Sequence, residues 1–215
     1  DISIFVGANN SGKTSVGHAL ELFTGHGRFN IYDFSAALWP DIIAYGAGEE
    51  GVILPTMEVD IWLETGADDV HRVVDLLPSL SWDSTLVGIR VAYAAADPDA
   101  TRTRFNEARE RALAAVEKDA DGHPVFNPSP RNLRDYLRDR LHDEYELRYF
   151  VLDPARFDAN MVAEAGYVPA SLAGRDRSGR EILNGILRID FLNAQRHLSD
   201  TPGGGRAEDL SRVLS

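Results

Sequence analysis

Between an apolar run and an amphipathic one, residues 7–14 read Gly-Ala-Asn-Asn-Ser-Gly-Lys-Thr. No other stretch restricts the fold so tightly. Ile2 to Val6 is short, apolar and rich in β-branched residues, as a buried strand requires. Val16, Ala19, Leu20 and Phe23 then recur at i, i+3, i+4 and i+7, the spacing of one helix face, and Thr24-Gly25 ends the run. The segment between them therefore joins a buried strand to a helix N-terminus. Gly7 and Gly12 allow backbone conformations that a Cβ would obstruct. The N–H groups of the loop, with Asn9, Asn10 and Ser11 between the glycines, can then turn inward around a phosphate. The helix start adds unpaired donors and the positive end of its dipole. Lys13 would place a cation on the outer phosphates, the Thr14 hydroxyl would ligate Mg²⁺, and Ser15 would touch the α-phosphate. The pattern G-x-x-x-x-G-K-[ST] is complete and stands in the strand–loop–helix setting it needs. The expectation is a Mg²⁺–ATP site.

The rest of the composition narrows the class. At 215 residues and 44 % hydrophobic content, one domain with a real core is expected. There are no cysteines, which excludes disulfides, thiolate-bound zinc and thiol nucleophiles. No apolar run approaches the roughly 18 residues that span a bilayer, and the opening Asp-Ile-Ser-Ile has no basic region or cleavage signal. A soluble, cytoplasmic protein without membrane contact is expected, its start upstream of Asp1. The net charge of -12 disfavours indiscriminate nucleic-acid binding by the whole surface but leaves room for a local basic groove. The six histidines show no metal-ligand spacing, and His142-Asp143-Glu144 reads as a helix C-terminus.

Downstream, residues 25–56 carry aromatics without a steady period; those in Tyr32-Asp33-Phe34 and Leu38-Trp39-Pro40 are read as core rather than base-stacking residues. Met57, Val59, Ile61 and Leu63 alternate with Glu58 and Asp60, as do Val87, Ile89, Val91 and Tyr93 with their neighbours, and Tyr145, Leu147, Tyr149 and Val151 repeat the pattern. Helices are expected over 70–77, 101–118, with Glu107 and Arg111 paired at i, i+4, and from Ser129 as N-cap with Pro130 at the first helical position. Residues 169–181 read as a loop, 186–194 as a last strand, and a short helix starts near Glu208. The alternating strands differ from the uniformly apolar parallel strands of a small kinase or GTPase. The expected fold class is α/β: a P-loop NTPase lobe with an inserted antiparallel β-sheet over 57–152 and flanking helices.

A P-loop NTPase also needs an acid for its metal. Asp153, ending Tyr149-Phe-Val-Leu-Asp153, is the one superficial candidate, but proline follows it and its strand alternates, so a turn role is favoured over metal ligation. No LSGGQ-type signature appears; Gly203-Gly204-Gly205 follows Ser199-Asp200 but without the helix start that such a signature requires. With GANNSGKTS, the alternating strands and Ile189-Asp-Phe-Leu-Asn-Ala-Gln195-Arg196-His-Leu-Ser-Asp200, the chain resembles the ABC-type ATPase head of the SMC/RecF-like class, and within it most of all the OLD family of ATP-dependent endonucleases. The resemblance spans most of the chain, with the P-loop its one strong motif. It implies that Asn9 sits near the γ-phosphate and that Gln195, in the 186–197 strand and Q-loop region, reaches the metal; a glutamine capping a strand end is the plain alternative, and Arg196 would be an ion-pair partner. It further implies a second lobe carrying the Walker B acid and signature motif, dimerisation or higher assembly of the heads around ATP, DNA lying across the dimer, and a Toprim nuclease domain or partner. DNA repair or anti-phage defence would be the setting. Arg175, Arg177 and Arg180 make a basic loop suited to phosphates, though a solvated loop is the more ordinary reading. The competing readings are a complete small-molecule kinase, using Asp153 and that loop as a lid, and a module that binds ATP without hydrolysing it.

Overall fold

The computed structural model describes residues 13–79, 82–119, 121, 123–172 and 177–187. Five helices and four strands follow in the order α1 (Lys13–Phe23), α2 (Trp39–Ala47), β1 (Met57–Glu64), β2 (Leu86–Ala95), α3 (Pro98–Ala114), α4 (Leu133–Glu144), β3 (Tyr145–Leu152), β4 (Ala170–Ser171) and α5 (Gly179–Ile186). The strands form one sheet in the order β1-β2-β3-β4, every neighbouring pair antiparallel. The described part is thus mixed α/β with a four-stranded antiparallel sheet. The expected strand at 2–6, the loop at 7–12 and the helix near Glu208 lie outside the described residues.

Period-2 alternation sets the register. Met57, Tyr93 and Leu147 lie side by side, as do Val59, Val91 and Tyr149, then Ile61, Ile89 and Val151. Opposed residues of an antiparallel ladder share a face, so these rows make one apolar surface. The helices pack over it: α1 lies against β2, α4 and α5 against β3, and α2 and α3 against α4. Val87, Ile89 and Val91 are fully buried beneath them. Phe29 stacks on Tyr93 with ring centroids 3.9 Å apart.

The other face carries Glu58, Asp60 and Trp62 on β1. Arg90 holds Asp60 through two hydrogen bonds of 2.7 and 2.8 Å and reaches Glu58 at 3.1 Å. Trp62 lies over Gly88, where an added Cβ would come within 2.5 Å of the indole. Phe157 meets Trp62 edge-on and Tyr167 meets Phe157, so the excursion after β3 caps this end of the sheet.

Several expectations need correction. Residues 67–72 and 74–76 form 3₁₀ turns instead of an α-helix; the stretch is short, holds β-branched Val70, Val73 and Val74, and gains little from extending an α-helical nucleus. Helix α3 stops at Ala114, and the chain turns back so that Val125 N–H donates to the Glu117 carbonyl. Arg111 bonds the Glu107 backbone carbonyl at 3.1 Å. The N-cap of α4 is Asn132, whose side chain accepts the Asp135 N–H at 2.9 Å, not Ser129. Residues 169–181 are no simple loop: they contain β4 and the start of α5, whose Ser178 and Glu181 form a reciprocal capping box. Ile186 ends that helix and Leu187 caps it, so no strand starts at 186, and 188–194 lie outside the described residues. Val16, assigned to the buried face of α1, is 48 % exposed, while Leu22 and Phe23 are buried. Phe34 is buried as expected, but Tyr32 is 63 % exposed.

Candidate functional site

Helix α1 begins at Lys13, the residue that ends the glycine-rich run. Its first turn holds no acidic residue of its own, and an acid there would oppose an anion at the positive end of the helix dipole. Thr14 and Ser15 stand on that turn, both exposed. Gly7, Asn9, Asn10, Ser11 and Gly12, the Lys13 side chain, Gln195 and Arg196 lie outside the described residues.

One turn along, His18 falls at i+4 from Thr14 and i+3 from Ser15, on the same side of α1. Its Nε2 lies 3.3 Å from Asp33 Oδ1, and its Nδ1 lies 3.9 Å from Glu21. Asp33 belongs to a compact 3₁₀ turn, Ile31–Asp33, closed by a capping box: Asn30 Oδ1 accepts the Tyr32 N–H and Asp33 Oδ2 accepts the Asn30 N–H, both at 2.8 Å. The turn after α1 is therefore fastened back onto the middle of the helix.

The C-terminal end of α1 is joined to another helix. Gly25 closes the helix at φ +79°, a left-handed conformation that suits glycine, and Arg180 of α5 donates to its carbonyl at 3.1 Å. A cleft of about 860 Å³ opens there, among Arg28, Tyr149, Leu172 and Arg180. It lies about 15 Å from Lys13, the length of α1. Its cations are mostly engaged: Arg148 donates to the Ala95 and Ala96 carbonyls and to Glu146, and Arg180 is tied to Gly25. Burial, with Arg28 beside it, holds His142 below its ordinary value. Of the proposed basic loop, Arg177 pairs with Asp75 and Arg175 lies outside the described residues. Both described arginines thus serve internal contacts.

Asp153 sits where β3 gives way to the 3₁₀ turn Pro154–Arg156, and its Oδ1 accepts the Ala155 N–H at 3.0 Å. That is the turn role favoured from the sequence. Among the described residues there is no group of three or more His, Asp or Glu side chains placed to hold a metal ion.

Sequence reading missed Glu144. It is 1 % exposed and gathers Thr101 Oγ1 at 2.7 Å, Tyr136 OH at 2.8 Å and the Arg104 guanidinium, with Nε at 2.9 Å. Burial pushes its carboxyl up, but hydrogen bonds from Arg104, Thr101 and Tyr136 outweigh this and leave it lowered. Tyr136 is pushed up to about 12 by burial and by its bond to Glu144. The signal was available: Leu137, Leu141 and Glu144 recur at i, i+4 and i+7, so a carboxylate occupies the buried stripe of α4.

Comparison with protein-family models, curated proteins and solved structures returns no match. No helix among the described residues is long and apolar enough to cross a membrane.

Proposed function

We propose that this chain binds Mg²⁺–ATP through residues 7–15 and serves as the nucleotide-binding lobe of a DNA-linked ATPase resembling the SMC/RecF-like and OLD proteins. One observation carries the reading: the complete G-x-x-x-x-G-K-[ST] run ends where an acid-free helix N-terminus begins, with Thr14 and Ser15 exposed on its first turn. An antiparallel sheet beside that helix suits the proposed class better than a small kinase, whose sheet would be parallel.

In this reading the loop N–H groups hold the phosphates, Lys13 neutralises the outer two, and Ser15 binds the α-phosphate. Thr14, with Gln195 on the far side, would hold Mg²⁺, which supplies charge neutralisation across the β- and γ-phosphates. Hydrolysis would require a second lobe and pairing of two heads, ATP stabilising the closed pair and its loss releasing it. DNA would lie across the assembled pair, beside a Toprim nuclease, in repair or phage defence. The kinase reading has less support, because Asp153 caps its own turn.

Thr14→Ala tests the metal assignment. It should weaken ATP binding in Mg²⁺ by roughly tenfold, about 1.4 kcal/mol, and leave metal-free binding unchanged. Equal affinity for Mg²⁺–ATP in both proteins would remove Thr14 from the site.

A further inference from the structure

Strand β1 ends the sheet on one side, and its outer edge has no partner among the described residues. At the opposite edge β4 is only two residues long, which leaves little ladder to pair. β1 runs for eight residues without a break in register. The Thr65 N–H donates to the Thr85 carbonyl at 2.7 Å, one step beyond the pair Glu64 and Leu86. Bonded and non-bonded pairs alternate along an antiparallel ladder. Met57, Val59, Ile61 and Leu63 therefore bond inward to β2, while Glu58, Asp60, Trp62 and Glu64 turn their N–H and C=O groups to the open edge.

On the core side of the sheet, Val87, Ile89, Val91 and Tyr93 of β2 are buried. Their β1 neighbours Leu63, Ile61, Val59 and Met57 are only half-buried, because the covering helices lie over β2 and β3. The apolar surface thus continues to the open edge. On the other face Glu58, Asp60 and Glu64 place three carboxylates along β1, and Arg90 is the cation that holds the first two. Carboxylates so placed deter a second copy. The two longest antiparallel registers that bring like faces together set Asp60 against Asp60 or Glu58 against Glu64. The same carboxylates attract a strand that carries cations.

We propose that the outer edge of β1 receives an extended segment of a partner protein, antiparallel to it, in which apolar residues alternate with lysine or arginine. The apolar side chains would extend the row of Val59 and Ile61, and the cations would face Glu58, Asp60 and Glu64. Directly opposed residues share a face, so the residues bearing the cations would make the main-chain bonds to β1. This assignment is independent of the nucleotide reading.

The test titrates the 215-residue chain with an acetylated and amidated seven-residue peptide alternating lysine with valine. Three relatives accompany it: glutamate in place of lysine, N-methylation at the lysines, and N-methylation at the valines. The lysine peptide should bind. Methylating the lysines removes the N–H groups aimed at β1 and should weaken binding roughly tenfold or more. Methylating the valines, whose N–H groups point away, should leave it unchanged. The glutamate peptide should bind roughly tenfold more weakly. Glu58 and Glu64 are exposed, and a protein carrying Glu58→Lys with Glu64→Lys should prefer the glutamate peptide. No binding of the lysine peptide, or equal effects of methylating the lysines and the valines, overturns the strand addition. An unchanged preference for lysine in the double variant overturns the role of the carboxylates.

Discussion

Glu144 ends α4 as a carboxylate with almost no contact with water, and three residues from two helices converge on it. Such a group stabilises only while its partners satisfy it, and removing one side of the set leaves buried donors unpaired. Glu144→Gln keeps the shape, loses the charge and should cost about 1–2 kcal/mol in urea unfolding at pH 7. Arg104 is half exposed, so solvent screening keeps the loss well below that of a fully buried pair. The pH dependence has a definite sign. The folded carboxyl sits below its ordinary 4.5, so its stabilisation is complete above that value and disappears as pH falls through the depressed folded value. The stability gap between the parent and Glu144→Gln should therefore be constant near neutrality and close in acid. A gap that widens in acid would contradict the assignment of a lowered value. At Thr14 and Ser15 burial is absent, and their interest lies in the ligand they would meet.

At the scale of elements, close packing makes some glycines irreplaceable and leaves others free. An alanine Cβ at Gly88 would lie 2.5 Å from Trp62 and 2.8 Å from the Leu152 Cβ. Gly88→Ala should cost about 1–3 kcal/mol as an overpacked site. Gly66 has open space around it, and Gly66→Ala should stay within about 0.5 kcal/mol of the parent. Equal stability of the two variants by thermal or urea unfolding would contradict the Trp62 packing. The same contrast explains what the sequence displayed. Strands β1, β2 and β3 were legible because one face of each packs against the core and period-2 alternation survives any tertiary detail. Helix α1 was legible from its stop at Thr24-Gly25, although Val16 faces solvent. The cap of α4 was misplaced because Ser129 and Asn132 are both good caps and local chemistry does not choose between them. The start of α5 was hidden by the polar, glycine-containing stretch around it, although Ser178 and Glu181 stand in capping-box spacing. Glu144 was missed for another reason: its partners Thr101 and Arg104 are about forty positions away, and only folding brings α3 onto α4.

For the whole molecule, one face of the antiparallel sheet carries the packed helices. The C-terminal end of α1 is joined to α5 through Gly25 and Arg180, and the turn Ile31–Asp33 is tied to the middle of α1 through His18 and Asp33. A cleft of about 860 Å³ lies at the joint of α1 with α5. The central claim is that the motif end binds nucleotide. It is tested most directly by titrating the 215-residue chain with Mg²⁺–ATP in a calorimeter, with Lys13→Ala alongside. The account predicts saturable one-site binding that falls roughly 100-fold in the variant, the loss of a charge-assisted contact of about 3 kcal/mol. Binding of equal strength in both proteins, or none in the parent, would contradict it.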